Sequence, residues 1–148
     1  MADALRQSLN APAVAILDQV GPLRMAAAMK AAGAPPRLPA GAAPALPLAL
    51  GGVGITLREL VTLHARLPRV VERRAAEAAL AALVQPWPGP SGVAWKTGTS
   101  WGGRDAWAVG QDRRHAVGIW VGRPDGTPMP GATGARLALP LLAAAFER

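Results

Sequence analysis

Val93-Ala94-Trp95-Lys96-Thr97-Gly98-Thr99-Ser100, then Asp105-Ala106-Trp107-Ala108-Val109-Gly110 and Ala116-Val117-Gly118-Ile119-Trp120-Val121-Gly122, is the stretch on which the fold turns. Each run is short, rich in Val, Thr, Ile and Trp, and bounded by Gly-containing or charged segments, the pattern of strands in an antiparallel meander. The spacing predicts strands over 93–99, 106–110 and 116–122, with the last two joined as a hairpin through 111–114. After the turn-rich residues 123–134, the apolar run 135–146 returns to helix despite Pro140.

Upstream of the strands the period changes from two to that of a helix. Pro12 to Val20 is apolar and helix-compatible, with Asn10 near its amino end as a candidate N-cap and Gly21-Pro22 as a stop. A second short helix over 23–32 ends at Gly33. Residues 34–50 hold too many prolines for a helix or a central strand and are read as an ordered connection over the surface. Thr56 and Glu59 have the spacing of a capping box for a helix over 56–67, with Leu57, Leu60, Val61 and His64 on one face and Pro68 as the stop. His64 is read as a core residue. A last Ala-rich helix over 70–84 turns Leu80, Leu83 and Val84 inward and leaves Arg69, Arg73 and Arg74 to solvent. Helices, three strands and a terminal helix make an α/β domain of the layered α+β kind, an antiparallel sheet flanked by helices. The expectation is one partial domain over 1–148: a mainly helical part (1–92), the strands (93–134) and the closing helix (135–148).

Composition narrows the function classes. With 51% hydrophobic residues in 148, the chain can build a packed core, while 17 Gly and 15 Pro spend many positions on turns. The lack of Cys excludes disulfides and thiolate metal sites. A net charge of +7 could serve a polyanion, but the arginines are scattered from Arg6 to Arg148 without a dense run, so no nucleic-acid partner is expected. No apolar run reaches the roughly 18 residues of a membrane span, and the first ten residues lack the pattern of a signal peptide.

Chemistry concentrates at Lys96-Thr97-Gly98-Thr99-Ser100. On an edge-accessible strand these residues offer an ammonium, hydroxyls and a position without a side chain, so an extended, carboxylate-bearing substrate can lie alongside as an added strand. Gly98 permits close approach, Thr97 and Thr99 can donate to a carboxylate, and Lys96, one of only two lysines, supplies positive potential. A second element, Ser8-Leu9-Asn10, sets a hydroxyl and a carboxamide just before a helix, where both can face a common cleft.

Ser8-Leu9-Asn10 and Lys96-Thr97-Gly98 together resemble the second and third motifs of serine transpeptidases and related β-lactamases, whose sites combine Ser-x-x-Lys, Ser-x-Asn and Lys-Thr-Gly. Residues 48–60 look like the family segment between them, and 95–100, 104–110 and 117–131 are similar to class A, bifunctional penicillin-binding proteins. The resemblance implies a partial penicillin-binding transpeptidase fold, β-lactamase-like, whose sheet has five strands of which these would be the last three. It implies peptidoglycan D,D-transpeptidation through an acyl-enzyme at the periplasmic face of the inner membrane, on D-alanyl-D-alanine stem peptides, with β-lactams as ligands and neither cofactor nor metal. Ser8 would relay a proton between the catalytic lysine and the leaving amine, and Asn10 would hold the substrate peptide. Lys96 would organise the proton network with Ser8. Thr97 and Thr99 would bind the terminal carboxylate, with the Thr99 N–H as half of the oxyanion hole. None of Ser8, Ser91 and Ser100 is followed three places later by Lys, so the nucleophile, like the glycosyltransferase domain and membrane anchor, is expected upstream of these residues. The segment 67–93 is shorter than the family leads one to expect. The alternative reading is a noncatalytic module that holds peptides or a partner along 93–99.

Overall fold

Residues 2–147 are described by a computed structural model, which is a mixed α/β arrangement of six α-helices and three strands among the described residues. Contacts divide the chain into two compact units, one up to Ala79 and the other from Leu80 on. The dividing point falls inside the fifth helix.

In the first unit, α1 (Ala2–Arg6) precedes α2 (Asn10–Val20) and α3 (Pro22–Ala31). The short α1 lies where no helix was expected. Gly21, at φ 89°, is the only residue between α2 and α3, and a side chain there would be strained, which is why the break falls on a glycine. Asn10 is not a cap: α2 begins at Asn10 itself, Leu9 takes the N-cap position, and no side chain caps the helix. The proline-rich connection is ordered. It includes a 3-10 turn, Leu46–Leu50, that packs on α2, and Arg37 pairs with Gly54 as an isolated antiparallel bridge.

The capping box of α4 (Leu57–Val70) forms as its spacing predicts. The Glu59 N–H donates to Thr56 Oγ1 at 3.2 Å and the Thr56 N–H donates to Glu59 Oε2 at 2.8 Å. Arg37 adds a two-pronged ion pair, Nη1 to Oε2 at 2.6 Å and Nη2 to Oε1 at 2.8 Å, tying the bridge to the helix start. The Arg37 guanidinium, and then the Thr56 N–H and hydroxyl, hold the Glu59 carboxyl down at about 2. Pro68 does not stop α4, which runs on to Val70. In the last turn a proline removes one amide donor and need not break the ladder. Leu57, Leu60, Val61 and His64 are all half-buried, and no residue of α4 is fully buried.

α5 (Arg73–Leu83) is shorter than expected at both ends. Val84 leaves the helix and is 42% exposed rather than core, because it pairs with Ala94 as an isolated bridge. The sheet of the second unit has the order β1-β2-β3, antiparallel throughout: β1 (Ala94–Thr99), β2 (Asp105–Gln111) and β3 (Ala116–Gly122). The hairpin turn lies one residue beyond the expected one, where Asp112 Oδ1 accepts from the N–H groups of Arg114 and His115.

Gly134–Ala138 forms a single wide turn of π-helix that runs directly into α6 (Leu139–Phe146). Pro140 falls where this wide turn passes into α6: the Leu139 N–H donates to the Gly134 carbonyl, five residues back, and the proline that lacks a donor follows it. α6 lies on one face of the sheet. Ala108, Ala138, Leu139 and Leu142 form the core there, flanked by Trp87, Trp95, Val117, Ile119 and Phe146. Trp87 stacks on Trp95 and meets Phe146 edge-on, each at 6.0 Å between ring centres, so three rings tie β1, the preceding segment and the terminal helix together.

Candidate functional site

β1 carries the lysine-threonine motif, and its register fixes which way each group faces. Lys96 stands opposite Val109, Thr97 opposite Ala108, Gly98 opposite Trp107 and Thr99 opposite Ala106. Just past the strand, the Ser100 N–H donates to the Asp105 carbonyl at 3.0 Å, and Ser100 Oγ accepts from the Asp105 N–H at 2.8 Å. Hydrogen-bonded pairs alternate along an antiparallel ladder, so Gly98 and Lys96 also direct their backbone groups to β2. Thr97 and Thr99 therefore turn their N–H and C=O groups away from β2, to the outer edge.

Side chains alternate as well. Trp95, Thr97 and Thr99 share the face covered by α6, whereas Lys96 and Gly98 lie on the other. Gly134, at the start of the π-turn, lies so close to the strand that a Cβ on it would run into the carbonyls of Gly98 and Trp107 and come within 3.0 Å of the Gly98 nitrogen, whereas a Cβ at Gly98 would meet only the Trp107 Cβ, at 3.8 Å. The Gly134 N–H donates to Thr99 Oγ1 at 3.1 Å, which fixes that hydroxyl as an acceptor and leaves its own hydrogen to donate. Gly134 thus seats the end of the motif strand. No spacing or composition in the sequence marks it for that task.

Lys96 is half-buried, and its ammonium donates to the Thr97 carbonyl at 2.8 Å, on the outer edge of the strand. Burial lowers its pKa from the ordinary lysine value. The strand edge therefore offers a partly desolvated cation, two threonine hydroxyls and outward N–H groups within four consecutive residues. Among the described residues no cluster of three or more His, Cys, Asp or Glu could hold a metal ion, and no helix is long and apolar enough to cross a membrane.

Ser8 and Asn10 belong to the first unit, and both are exposed. Ser8 has a feature that the sequence did not disclose. It is the only non-glycine among the described residues with a positive φ, 55°. The cause is the end of α1: the Ser8 N–H donates to the Leu5 carbonyl at 3.2 Å and the Leu9 N–H to the Ala4 carbonyl at 2.9 Å, the paired bonds of a Schellman motif. Its left-handed position usually falls to glycine, so a serine there carries strain of the kind found at functional sites. Asn10, two residues on, is the first residue of α2.

No family model matches the chain. It is 40% identical to penicillin-binding protein 1C of Escherichia coli K12 over 169 aligned positions, which take in 96% of this chain and 22% of that protein. It is also 49% identical over 45 residues to penicillin-binding protein 1B of Vibrio cholerae serotype O1, covering 29% of this chain and 6% of the relative. The chain thus spans about a fifth of the length of the first of these relatives. An alignment of 169 positions against 148 residues leaves at least 21 positions opposite gaps in this chain. These likenesses make the chain similar to a segment of penicillin-binding proteins. It is, in particular, a segment like that of penicillin-binding protein 1C.

Proposed function

We propose that the chain is the carboxyl-terminal part of a peptidoglycan D,D-transpeptidase domain, acting in cell-wall synthesis at the outer face of the cytoplasmic membrane. The observation that carries this reading is the motif strand itself. Lys96-Thr97-Gly98-Thr99 stands at an edge of the sheet with the backbone groups of both threonines turned outward, in a chain 40% identical to a penicillin-binding protein. A stem peptide ending in D-alanyl-D-alanine would add to β1 as a further strand, its carboxylate bound by Thr97 and Thr99 in the positive potential of Lys96. The Thr99 N–H would donate to the carbonyl oxygen as it becomes an oxyanion. Loss of such a donor costs about 10²–10³ in turnover.

In this reading the strained Ser8 hydroxyl passes a proton to the leaving D-alanine amine, and the Asn10 amide holds the peptide. A serine from a Ser-x-x-Lys motif, which these 148 residues do not contain, attacks the carbonyl. The bond to the terminal D-alanine then breaks, and the acyl group waits as an ester for an acceptor amine. The three-stranded sheet would be the last part of a five-stranded one, and the stem-peptide site would also admit β-lactams. The outward edge of β1 also fits a second reading, a noncatalytic module that holds peptides or a partner along the same strand.

Two measurements on the 148-residue chain test the proposal. A fluorescent penicillin should leave no covalent label, and N-acylated D-alanyl-D-alanine peptides should bind saturably and lose that binding in Lys96→Ala. Stoichiometric acylation would mean that the nucleophile lies within these residues. Failure to bind the peptides would remove β1 as the substrate strand.

A further inference from the structure

Trp101, 89% exposed, is far more open to solvent than any other large apolar residue described, the next being Leu23 at 69%. It stands immediately past the motif strand, at the head of the 3-10 turn Trp101–Gly103. Every backbone element around it is pinned. Gly102 and Gly103 take left-handed angles of 74° and 67°, which fold the chain back within three residues. The Gly103 N–H donates to the Ser100 carbonyl and the Met129 N–H donates to the Gly103 carbonyl, each at 3.0 Å. Ser100 is held to Asp105 through its own N–H and hydroxyl oxygen. An indole held in water on a rigid turn has no role in packing this unit. Its ring is offered to something else.

Resting on the reading of β1 as a substrate strand, we propose that Trp101 is a positioning and specificity residue against which the acyl portion preceding the terminal D-alanyl-D-alanine packs. Strand geometry sets the reach: at roughly 3.3 Å per residue, Trp101 lies about 13 Å along the chain from Thr97, where the carboxylate would be held. A dipeptide anchored at Thr97 stops short of the ring. A ligand with one further residue, or an extended acyl group, lies beside it and can cover its face with aliphatic carbon. The indole thus measures ligand length past Thr99, and it favours an apolar stem at that point over a small or charged one.

The test is an NMR titration of the full 148-residue chain with N-acetyl-D-alanyl-D-alanine and with diacetyl-L-lysyl-D-alanyl-D-alanine, repeated for Trp101→Ala and Trp101→Phe. In the wild type the longer ligand should bind more tightly and shift the Trp101 Nε1–H resonance, and the dipeptide should leave that resonance in place. Trp101→Ala should weaken the longer ligand by up to about tenfold and leave the dipeptide unchanged, while Trp101→Phe retains most of the affinity. The Trp107 and Trp120 resonances report whether the variants keep their fold. Equal weakening of both ligands, or of neither, would overturn the role of Trp101 while leaving the substrate strand standing. No binding of either ligand to the wild type would overturn the strand reading, and this inference with it.

Discussion

Replacing Ser8 by glycine should make the protein more stable, although it deletes a residue of the proposed site. Ser8 sits at φ 55°, and a left-handed conformation costs a residue with a Cβ about 1–2 kcal/mol. Glycine removes that strain but gives the unfolded chain more freedom, which takes back about 0.5–1 kcal/mol. The net expectation is a gain of about 0.5–1 kcal/mol, a rise of about 1–4 °C in melting temperature for a chain of this length. Alanine is the necessary control, since it loses the hydroxyl but keeps the strain, so Ser8→Ala should be no more stable than the wild type. Urea unfolding of the three proteins ranks them. Hydrogen exchange at the Leu9 N–H, which closes the Schellman motif on Ala4, shows whether the effect arises at the end of α1. The reasoning is refuted if glycine is no better than alanine, for then the left-handed serine is not strained and its conformation says nothing about function.

Gly134→Ala should destabilise the second unit by about 1–3 kcal/mol or more, because its methyl meets the backbone of Gly98 and Trp107, which cannot rotate aside; urea unfolding checks the magnitude, and a wild-type midpoint would contradict the packing. Glu59 titrates at about 2 in the folded chain, well below an ordinary glutamate, so the stability it contributes is whole above about 4.3 and is lost as pH falls toward 2. Acid unfolding should therefore show a component over that window that is absent from Glu59→Gln. Lys96 gives a slope of the same sign in a higher window: its pKa is lowered by burial, so the unfolded chain binds the proton more tightly and stability rises with pH in the interval below about 10.4. The stability of the wild type relative to Lys96→Met should thus increase as pH is raised through that interval, and a constant difference in denaturant titrations would argue against a desolvated ammonium.

The sheet was legible because its signals are local. Three short runs of β-branched and aromatic residues between breakers place β1, β2 and β3 to within a residue or two, and Thr56 and Glu59 announce the start of α4 by their spacing alone. Errors arose where a single residue was given too much weight. Pro68 was read as the stop of its helix, yet it falls in the last turn and α4 runs on to Val70. Asn10 has the chemistry of a cap but follows Ser8 in a Schellman motif, so the chain arrives already turned and Leu9 takes the cap position. The motif residues on β1 could be picked out by type and spacing. What seats them could not, because the contact of Gly134 with the Gly98 backbone links positions 36 residues apart through the absence of one side chain, that of Gly134, and periodicity does not register an absence.

The same distinction separates the two halves of the candidate site. Lys96, Thr97, Gly98 and Thr99 need only a strand and its register to acquire their directions, and both follow from neighbouring sequence. Ser8 and Asn10 owe theirs to a five-residue helix and its left-handed exit, a device that depends on where α1 stops. A strand edge that offers outward N–H groups and a half-buried ammonium can recognise an extended carboxylate by itself. In the proposed reaction the proton reaches the leaving amine through Ser8, with Lys96 organising the network behind it. Binding and chemistry are therefore separable: peptide affinity should follow substitutions on β1, and turnover, once a nucleophile is supplied, should follow Ser8.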